Sequence, residues 1–229
     1  MPIFSEYSNY DGVGLAELIR NKDISAIDAL DSAIDLIERL NPKLNAVHRT
    51  MYHYATESIN RNQNMEGIFA GIPMLLKDMD SSLANYPMMQ GSNYLKDTVM
   101  PYDNYLTKSF RQSGALICGK SATPEYGLAI TTEPLAFGAT RNPWNLKKSV
   151  SGSSGGAASA IASGMAFIAQ GSDFACSVRY PSSFCGVVGM RPTPGLIPLG
   201  PANNPFQTLS VMGPIARNVI DLGLALDSM

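Results

Sequence analysis

A run of small residues between positions 151 and 164 limits the folds open to this chain more than any other feature. Serine and glycine make up its first six residues, SGSSGG, and alanine, serine and glycine dominate the rest, AASAIASG. Residues without bulky side chains allow a tight turn and a close approach between a helix and its neighbours. The run therefore predicts a glycine-rich turn that leads into a closely packed helix.

Helical patterns dominate the first 65 residues. Ser25 followed by Asp28 is typical of a helix start, and apolar residues recur at helical spacing from Ile27 to Ile37. We predict a shorter helix around Leu15 to Ile19 and another over residues 51–63. Residues 1–65 are accordingly read as an N-terminal helical segment.

The remainder, residues 66–229, alternates between strand, helix and loop patterns and is interpreted as one domain. Short apolar runs predict buried strands at 68–76, 115–118 and 165–169. Strands that alternate with helices favour an α/β fold with helices on both faces of the sheet.

Composition excludes several classes of protein. The 229 residues carry a net charge of −2 and no block of like charge, so nucleic acid is not expected as a direct partner. The N-terminus lacks the pattern of a secretory signal, and the apolar stretch near 157–169 is broken before it reaches membrane-spanning length. Three cysteines without framework spacing fit a reducing compartment. We expect a cytoplasmic protein with no membrane contact.

Two serines in unusual local sequence, Ser153 and Ser177, are candidate nucleophiles. The chain has only two histidines, His48 and His53, and both lie far upstream. A serine nucleophile here therefore needs a different base, and Lys77 is a candidate because it follows a run of apolar residues.

Other motifs account less well for the serine-rich run. Gly152 to Gly156 satisfies G-x-S-x-G with Ser154 as the nucleophile, but that elbow requires a later histidine, and none follows His53. A phosphate-binding loop requires G-x-x-x-x-G-K-[ST], which is absent. A purely structural role for the small residues remains open on the residues alone.

The chain resembles the amidase signature family from its N-terminal helices to its last residue. The motifs that carry the resemblance are GIPMLLKD at 71–78, GKSATPEYG at 119–127, GATRNPWN at 138–145, SGSSGGAASAIASGMAFIAQGSD at 151–173, SVRYPSSFCGVVGMRPTPG at 177–195 and GPIARNVIDLGLALDSM at 213–229. The resemblance implies an α/β fold built on a mixed sheet flanked by helices and truncated before the C-terminal half. It also implies that residues 66–229 are the N-terminal part of the catalytic core, a single incomplete domain. It also implies a catalytic triad of Ser177, Ser153 after a cis peptide bond, and Lys77, without a cofactor or metal.

The implied chemistry sets a requirement on the base. Ser177 would attack an amide carbonyl while Ser153 relays its proton to Lys77, so Lys77 must be neutral. The pKa of a lysine, about 10.4 in water, must therefore fall substantially, as burial would cause.

The resemblance also assigns an oxyanion hole to the backbone N–H groups of Phe174, Ala175, Cys176 and Ser177. Family members usually have two glycines before the nucleophile, whereas this chain has Ala175 and Cys176. Side chains at these positions would narrow the oxyanion region and leave the N–H donors in place.

Residues around the triad receive supporting roles. Ser154 is expected to hold the triad by hydrogen bonding, and Asp173 is expected to form an ion pair with Arg179 that organises the nucleophile loop. Gln90, Gly91 and Ser92 are expected to border the substrate cleft.

The expected function is hydrolysis of a linear or cyclic carboxamide through a serine acyl-enzyme. One alternative is the amide-cleaving component of a glutamine-dependent tRNA amidotransferase. A second is an inert fragment that acts as a scaffold, since family members are considerably longer than this chain and their C-terminal half completes the sheet. The expected partners are a small amide and either a second copy of the chain or the missing C-terminal half.

Overall fold

The computed structural model describes residues 4–61, 66–201 and 208–229. Its helices and strands follow one another along the chain in a mixed order, as the alternating patterns predict. The helices are α1 (Gly12–Asn21), α2 (Ala26–Leu44), α3 (Tyr52–Asn60), α4 (Tyr105–Gln112), α5 (Gly155–Ala162), α6 (Arg179–Cys185) and α7 (Val219–Asp227); the strands are β1 (Val47–Thr50), β2 (Pro73–Lys77), β3 (Leu116–Ser121), β4 (Arg141–Asn142), β5 (Asn145–Ser149), β6 (Ile168–Asp173), β7 (Val188–Gly189) and β8 (Val211–Ala216).

A mixed sheet of six strands, in the order β1-β3-β2-β6-β8-β7, forms the centre of the described structure. Strand β2 runs parallel to both β3 and β6, whereas β6 and β8 are antiparallel. The prediction of a mixed α/β sheet flanked by helices is confirmed. Because β2 and β6 run parallel, their last residues, Lys77 and Asp173, lie at the same edge of the sheet.

Two apolar cores lie on opposite faces of this sheet, because successive side chains of a strand point to opposite sides. Met74 and Leu76 belong to one core, which also contains residues of α1, α4 and α7. Leu75 lies between them in sequence and belongs to the other core, together with residues of α5. The prediction of helices on both faces is therefore confirmed.

The closely packed helix predicted from the small residues is α5. A side chain at Gly156 would place its first carbon 2.3 Å from the backbone nitrogen of Ala122 and 2.6 Å from the carbonyl oxygen of Ala46. Only glycine fits this approach to the chain that follows β3. The small residues thus place the serine-rich turn directly against the sheet.

Three strand boundaries differ from the predictions. Strand β2 begins only at Pro73, β3 continues to Ser121, and β6 spans Ile168–Asp173 rather than 165–169. The predicted strands end where polar residues begin. In β6 these polar groups are buried with hydrogen-bond partners instead, as at Gln170, whose Oε1 accepts the N–H of Lys77 at 2.8 Å.

The N-terminal segment is only partly helical, since it contains β1, which pairs with β3 at one edge of the sheet. The predicted helix over 51–63 corresponds to α3, which ends at Asn60, and positions 62 and 63 lie outside the described residues. Among the residues that the structure describes, every helix is too short or too polar to cross a membrane.

The capping box at the start of α2 yields a prediction for stability. The Ser25 hydroxyl accepts the N–H of Asp28 and donates to Oδ2 of Asp28, which also accepts the N–H of Ser25. We expect Ser25→Ala to lower the free energy of unfolding by about 1 kcal/mol in chemical denaturation at neutral pH. Ser5→Ala, at an exposed serine, is the matched control.

The same box predicts a pH dependence. Hydrogen bonds from Ser25 hold the pKa of Asp28 below its ordinary value. Stability from a carboxyl of lowered pKa is present above the pKa of the unfolded chain and is lost as the pH falls through the folded value. The cost of Ser25→Ala should shrink over that acidic range, and a cost that grows there would contradict the capping box.

Candidate active site

Lys77 lies at the end of β2 with its side chain fully buried. Its ammonium Nζ donates to Ser153 Oγ at 2.7 Å and to Ser172 Oγ at 2.9 Å. The structure therefore brings together two of the three predicted triad residues, Lys77 and Ser153. It also places the Ser172 hydroxyl, which was not predicted from the sequence, beside Lys77.

The buried environment of Lys77 shifts its equilibrium towards the neutral amine, compared with a lysine in water. Burial lowers its pKa to about 8, although the negative charges of Asp80 and Asp173 act in the opposite direction. Removal from water disfavours the charged form of any amine, and here that effect is larger than the attraction of two carboxylates. A substantial fraction of Lys77 is thus uncharged in mildly alkaline solution.

The serine-rich turn is attached to β6 and to the nucleophile loop by Ser154. The peptide bond between Gly152 and Ser153 is cis. The buried Ser154 hydroxyl donates to the carbonyl oxygen of Ser172 at 3.3 Å and accepts the N–H of Ser172 at the same distance. The N–H of Ser154 donates to the carbonyl oxygen of Ser177 at 3.1 Å. These contacts hold the turn beside both Lys77 and Ser177.

Asp173, the last residue of β6, organises the loop that contains Ser177. Its carboxylate accepts backbone N–H groups from Cys176 at 2.8 Å, Val178 at 3.1 Å and Arg179 at 3.3 Å. The Arg179 guanidinium donates to both carboxylate oxygens at 2.9 and 3.0 Å, which is the predicted ion pair. Burial alone would raise the pKa of Asp173, but hydrogen bonds from Arg179 and the three N–H groups hold it below its ordinary value.

Ser177 is partly exposed, and it lines the same cavity as Ser153. The N–H groups of Phe174, Ala175 and Ser177 donate to no acceptor within the described parts of the chain, so they remain open to a ligand. Cys176 is the exception among the four predicted oxyanion donors, and its assignment is corrected. Its N–H is occupied by Asp173, and its backbone has a φ of 77°.

The cavity shared by Ser153 and Ser177 has a volume of about 800 Å³. That volume falls in the range of small-molecule sites. Its lining combines these two serines with mostly apolar residues and a few other polar ones. The full lining is Met79, Asp80, Tyr126, Gly127, Leu128, Ala129, Ile130, Ser153, Phe174, Ala175, Ser177, Thr208, Leu209 and Ser210.

The predicted cleft residues Gln90, Gly91 and Ser92 lie outside this lining, and their place at the substrate cleft stays a prediction. Gln90 borders a smaller cavity of about 180 Å³, which Asp80 lines as well as the larger one. A side chain at Gly91 would lie 2.6 Å from the carbonyl oxygen of Thr123, and the buried Ser92 hydroxyl donates to Glu125 at 2.6 Å. Packing and hydrogen bonding within the protein therefore account for these positions.

Two candidate functional residues, Ser172 and Asp80, were not predicted from the sequence. Ser172 carried a signal, because Gln170 and Ser172 place polar side chains at alternate positions of a strand that begins with apolar residues. Asp80 carried none, because its place in the cavity depends on how the chain turns after β2. Within the described residues, no group of three His, Cys, Asp or Glu side chains could hold a metal ion.

Comparison with known proteins gives consistent results. The sequence matches the family described as Amidase over residues 28–229. It is 39% identical over 226 residues to the 6-aminohexanoate-cyclic-dimer hydrolase of Paenarthrobacter ureafaciens, covering 95% of this chain and 44% of that protein. It is 36% identical over 222 residues to one subunit of the glutamyl-tRNA(Gln) amidotransferase of Moorella thermoacetica, covering 94% of this chain and 45% of that protein.

Solved structures of similar proteins share the fold. A 6-aminohexanoate cyclic dimer hydrolase in complex with substrate superimposes with a TM-score of 0.93 at 36% identity, covering 99% of this chain and 47% of the other. A bacterial aryl acylamidase superimposes with a TM-score of 0.89 at 32% identity, covering 96% of this chain and 47% of the other. The chain spans less than half the length of these relatives.

The hydrogen bonds of Asp173 yield a prediction that does not depend on activity. We expect Asp173→Ala to lower the free energy of unfolding by about 3 kcal/mol, because it leaves three N–H groups and a guanidinium without their acceptor. The matched control is Asp97→Ala at an exposed aspartate, which should change stability by less than about 0.5 kcal/mol. Equal effects of the two substitutions in chemical denaturation would contradict this role for Asp173.

Proposed function

Because this chain belongs to the amidase signature family, we propose that it carries the catalytic triad of a hydrolase that cleaves carboxamide bonds through an acyl-enzyme on Ser177. The observation that carries the proposal is the fully buried Lys77 ammonium, hydrogen-bonded to Ser153 at the cavity that Ser177 also lines. A buried lysine with a lowered pKa is suited to act as a base.

The proposed reaction begins when the amide carbonyl lies against Ser177. The Ser177 oxygen forms a bond to the carbonyl carbon as its proton passes to Ser153, and Ser153 gives its own proton to the neutral Lys77. The negative charge that develops on the carbonyl oxygen is accepted by the open N–H groups of Phe174, Ala175 and Ser177. Each well-placed donor of this kind contributes about 3 kcal/mol in the transition state.

The acyl-enzyme forms when the carbon–nitrogen bond breaks. The leaving amine takes the proton back from Lys77 through Ser153, which restores the neutral base. A water molecule then attacks the ester carbonyl, gives its proton along the same route, and releases the carboxylic acid while Ser177 recovers its proton. The protons balance without a cofactor, because the proton lost by Ser177 leaves with the amine and the proton lost by water restores Ser177.

A second candidate function is suggested by the 36% identity to the amidotransferase component. In that case the amide would be the side chain of glutamine, and the released ammonia would pass to a partner. Measuring ammonia release from glutamine against release from simple carboxamides separates the two candidates. Localisation in the cytoplasm and association with a second chain remain predictions.

Covalent labelling tests the proposed nucleophile. We expect a fluorophosphonate probe to modify Ser177, as mapped by peptide mass spectrometry, and Ser177→Ala to abolish the adduct. Lys77→Ala should slow labelling by about 100-fold or more, because the attacking hydroxyl loses its base. Ser183→Ala, at an exposed serine outside the cavity lining, is the control and should label at the normal rate. An adduct on Cys176, or none on a folded sample, would contradict the triad.

The rate of labelling should also depend on pH in a definite direction. Lys77 acts as a base only when it is neutral, and burial lowers its pKa to about 8. The rate should therefore rise as the pH increases from about 6.5 towards about 8 and level off above that value. A rate that is independent of pH over this range, measured with stability monitored in parallel, would exclude Lys77 as the base.

A further inference from the structure

The catalytic cavity contains a charge that the triad chemistry does not use. Among the described residues that line it, Asp80 is the only acidic or basic residue, and most of the others are apolar. A charge in an apolar cavity is costly unless something compensates it. The position of Asp80 therefore requires an explanation.

The carboxylate of Asp80 has no partner within the described residues. Its Oδ2 is buried from solvent and accepts no hydrogen bond there, and no Lys, Arg or His of those residues lies within 4.0 Å of it in an ion pair. The backbone of Asp80 is held, since its carbonyl oxygen accepts the side-chain N–H of Asn104 at 2.8 Å. The backbone is thus anchored and the carboxylate is free to bind a ligand.

Lys77 does not fill this role. Its Nζ donates to Ser153 and Ser172, and the charge of Asp80 acts on it only from beyond the distance of an ion pair. In the reaction proposed above, Lys77 is neutral when the substrate arrives. The negative charge of Asp80 is then not balanced by Lys77.

We propose that the Asp80 carboxylate binds a protonated amine of the substrate, so that the cavity selects carboxamides that carry an ammonium group over neutral amides of the same shape. Ammonium and carboxylate form charge-assisted hydrogen bonds, which are stronger than those between neutral groups. The apolar lining contributed by Met79, Leu128, Ile130 and Phe174 suits the methylene groups between the ammonium and the amide. As a statement about substrate, this assignment rests on the proposed amidase function.

The backbone conformation of Asp80 supplies a clean test variant. Its φ of 64° lies in the left-handed region, which asparagine and aspartate tolerate better than other residues with a side chain. Asp80→Asn therefore keeps the turn after β2 and removes only the charge. Asp97→Asn makes the same change at an exposed position outside the cavity lining and is the matched control.

Binding can be measured without turnover in the full chain carrying Ser177→Ala. Isothermal titration calorimetry would compare ω-amino carboxamides of increasing chain length with alkanamides in which a terminal methyl replaces the ammonium. We expect the best ammonium ligand to bind about tenfold more tightly or better than its neutral counterpart, equivalent to about 1.4 kcal/mol. Asp80→Asn should remove this difference with little change for the neutral amides, and Asp97→Asn should preserve it.

Equal affinity for the two ligand series would overturn the assignment, as would an ammonium preference that survives Asp80→Asn. Failure of every ω-amino carboxamide to bind at millimolar concentration would also overturn it. The proposed function is tested separately by labelling of Ser177. A preference for the ammonium ligands without labelling of Ser177 would refute the triad and leave the role of Asp80 standing. Labelling of Ser177 without that preference would support the triad and refute the role of Asp80.

Discussion

The rest of the site depends on the burial of the Lys77 ammonium. A lysine at the end of an apolar strand has lost its water, and its remaining stabilisation comes from the hydroxyls of Ser153 and Ser172 and from the charges of Asp80 and Asp173. That exchange lowers its pKa to about 8, against the pull of two nearby carboxylates. Because the ammonium is bound by hydroxyls and forms no close ion pair with any residue that the structure describes, it can lose its proton without breaking such a pair. The hydroxyls of Ser153 and Ser172 can therefore hydrogen-bond both the charged and the neutral form of Lys77.

Two consecutive residues of β6, Ser172 and Asp173, position different parts of the site. Ser172 contacts Lys77 through its hydroxyl and Ser154 through its backbone, which joins the base to the serine-rich turn. Asp173 binds the backbone of the loop after it, which places the open N–H groups beside Ser177. The end of one strand therefore positions both Lys77 and the loop that contains Ser177. Since β6 pairs with β2 at its start and with β8 as far as Asp173, this end is held within the sheet.

Much of this arrangement is encoded in local sequence. The capping box of Ser25 and Asp28, the mixed sheet, and the association of Lys77 with Ser153 can all be anticipated from patterns and from a family resemblance. Features that depend on tertiary contacts cannot. Polar residues at 170–173 suggest that a strand has ended, yet neighbouring strands and side chains satisfy them within the sheet. The occupied N–H of Cys176, the internal packing of Gly91 and the place of Asp80 in the cavity all depend on where distant segments meet.

The contacts of Lys77 also have a consequence for how the protein acquires its reactivity. Its two hydroxyl partners are separated from it by 76 and 95 positions along the chain. Contacts of such range close long loops at a large cost in chain entropy and form only as β2 and β6 come together. Before that, Lys77 is an ordinary hydrated lysine and Ser177 an ordinary serine. Under the proposed function, the reactivity of Ser177 is thus absent from the newly made chain and emerges only when β2 and β6 have come together.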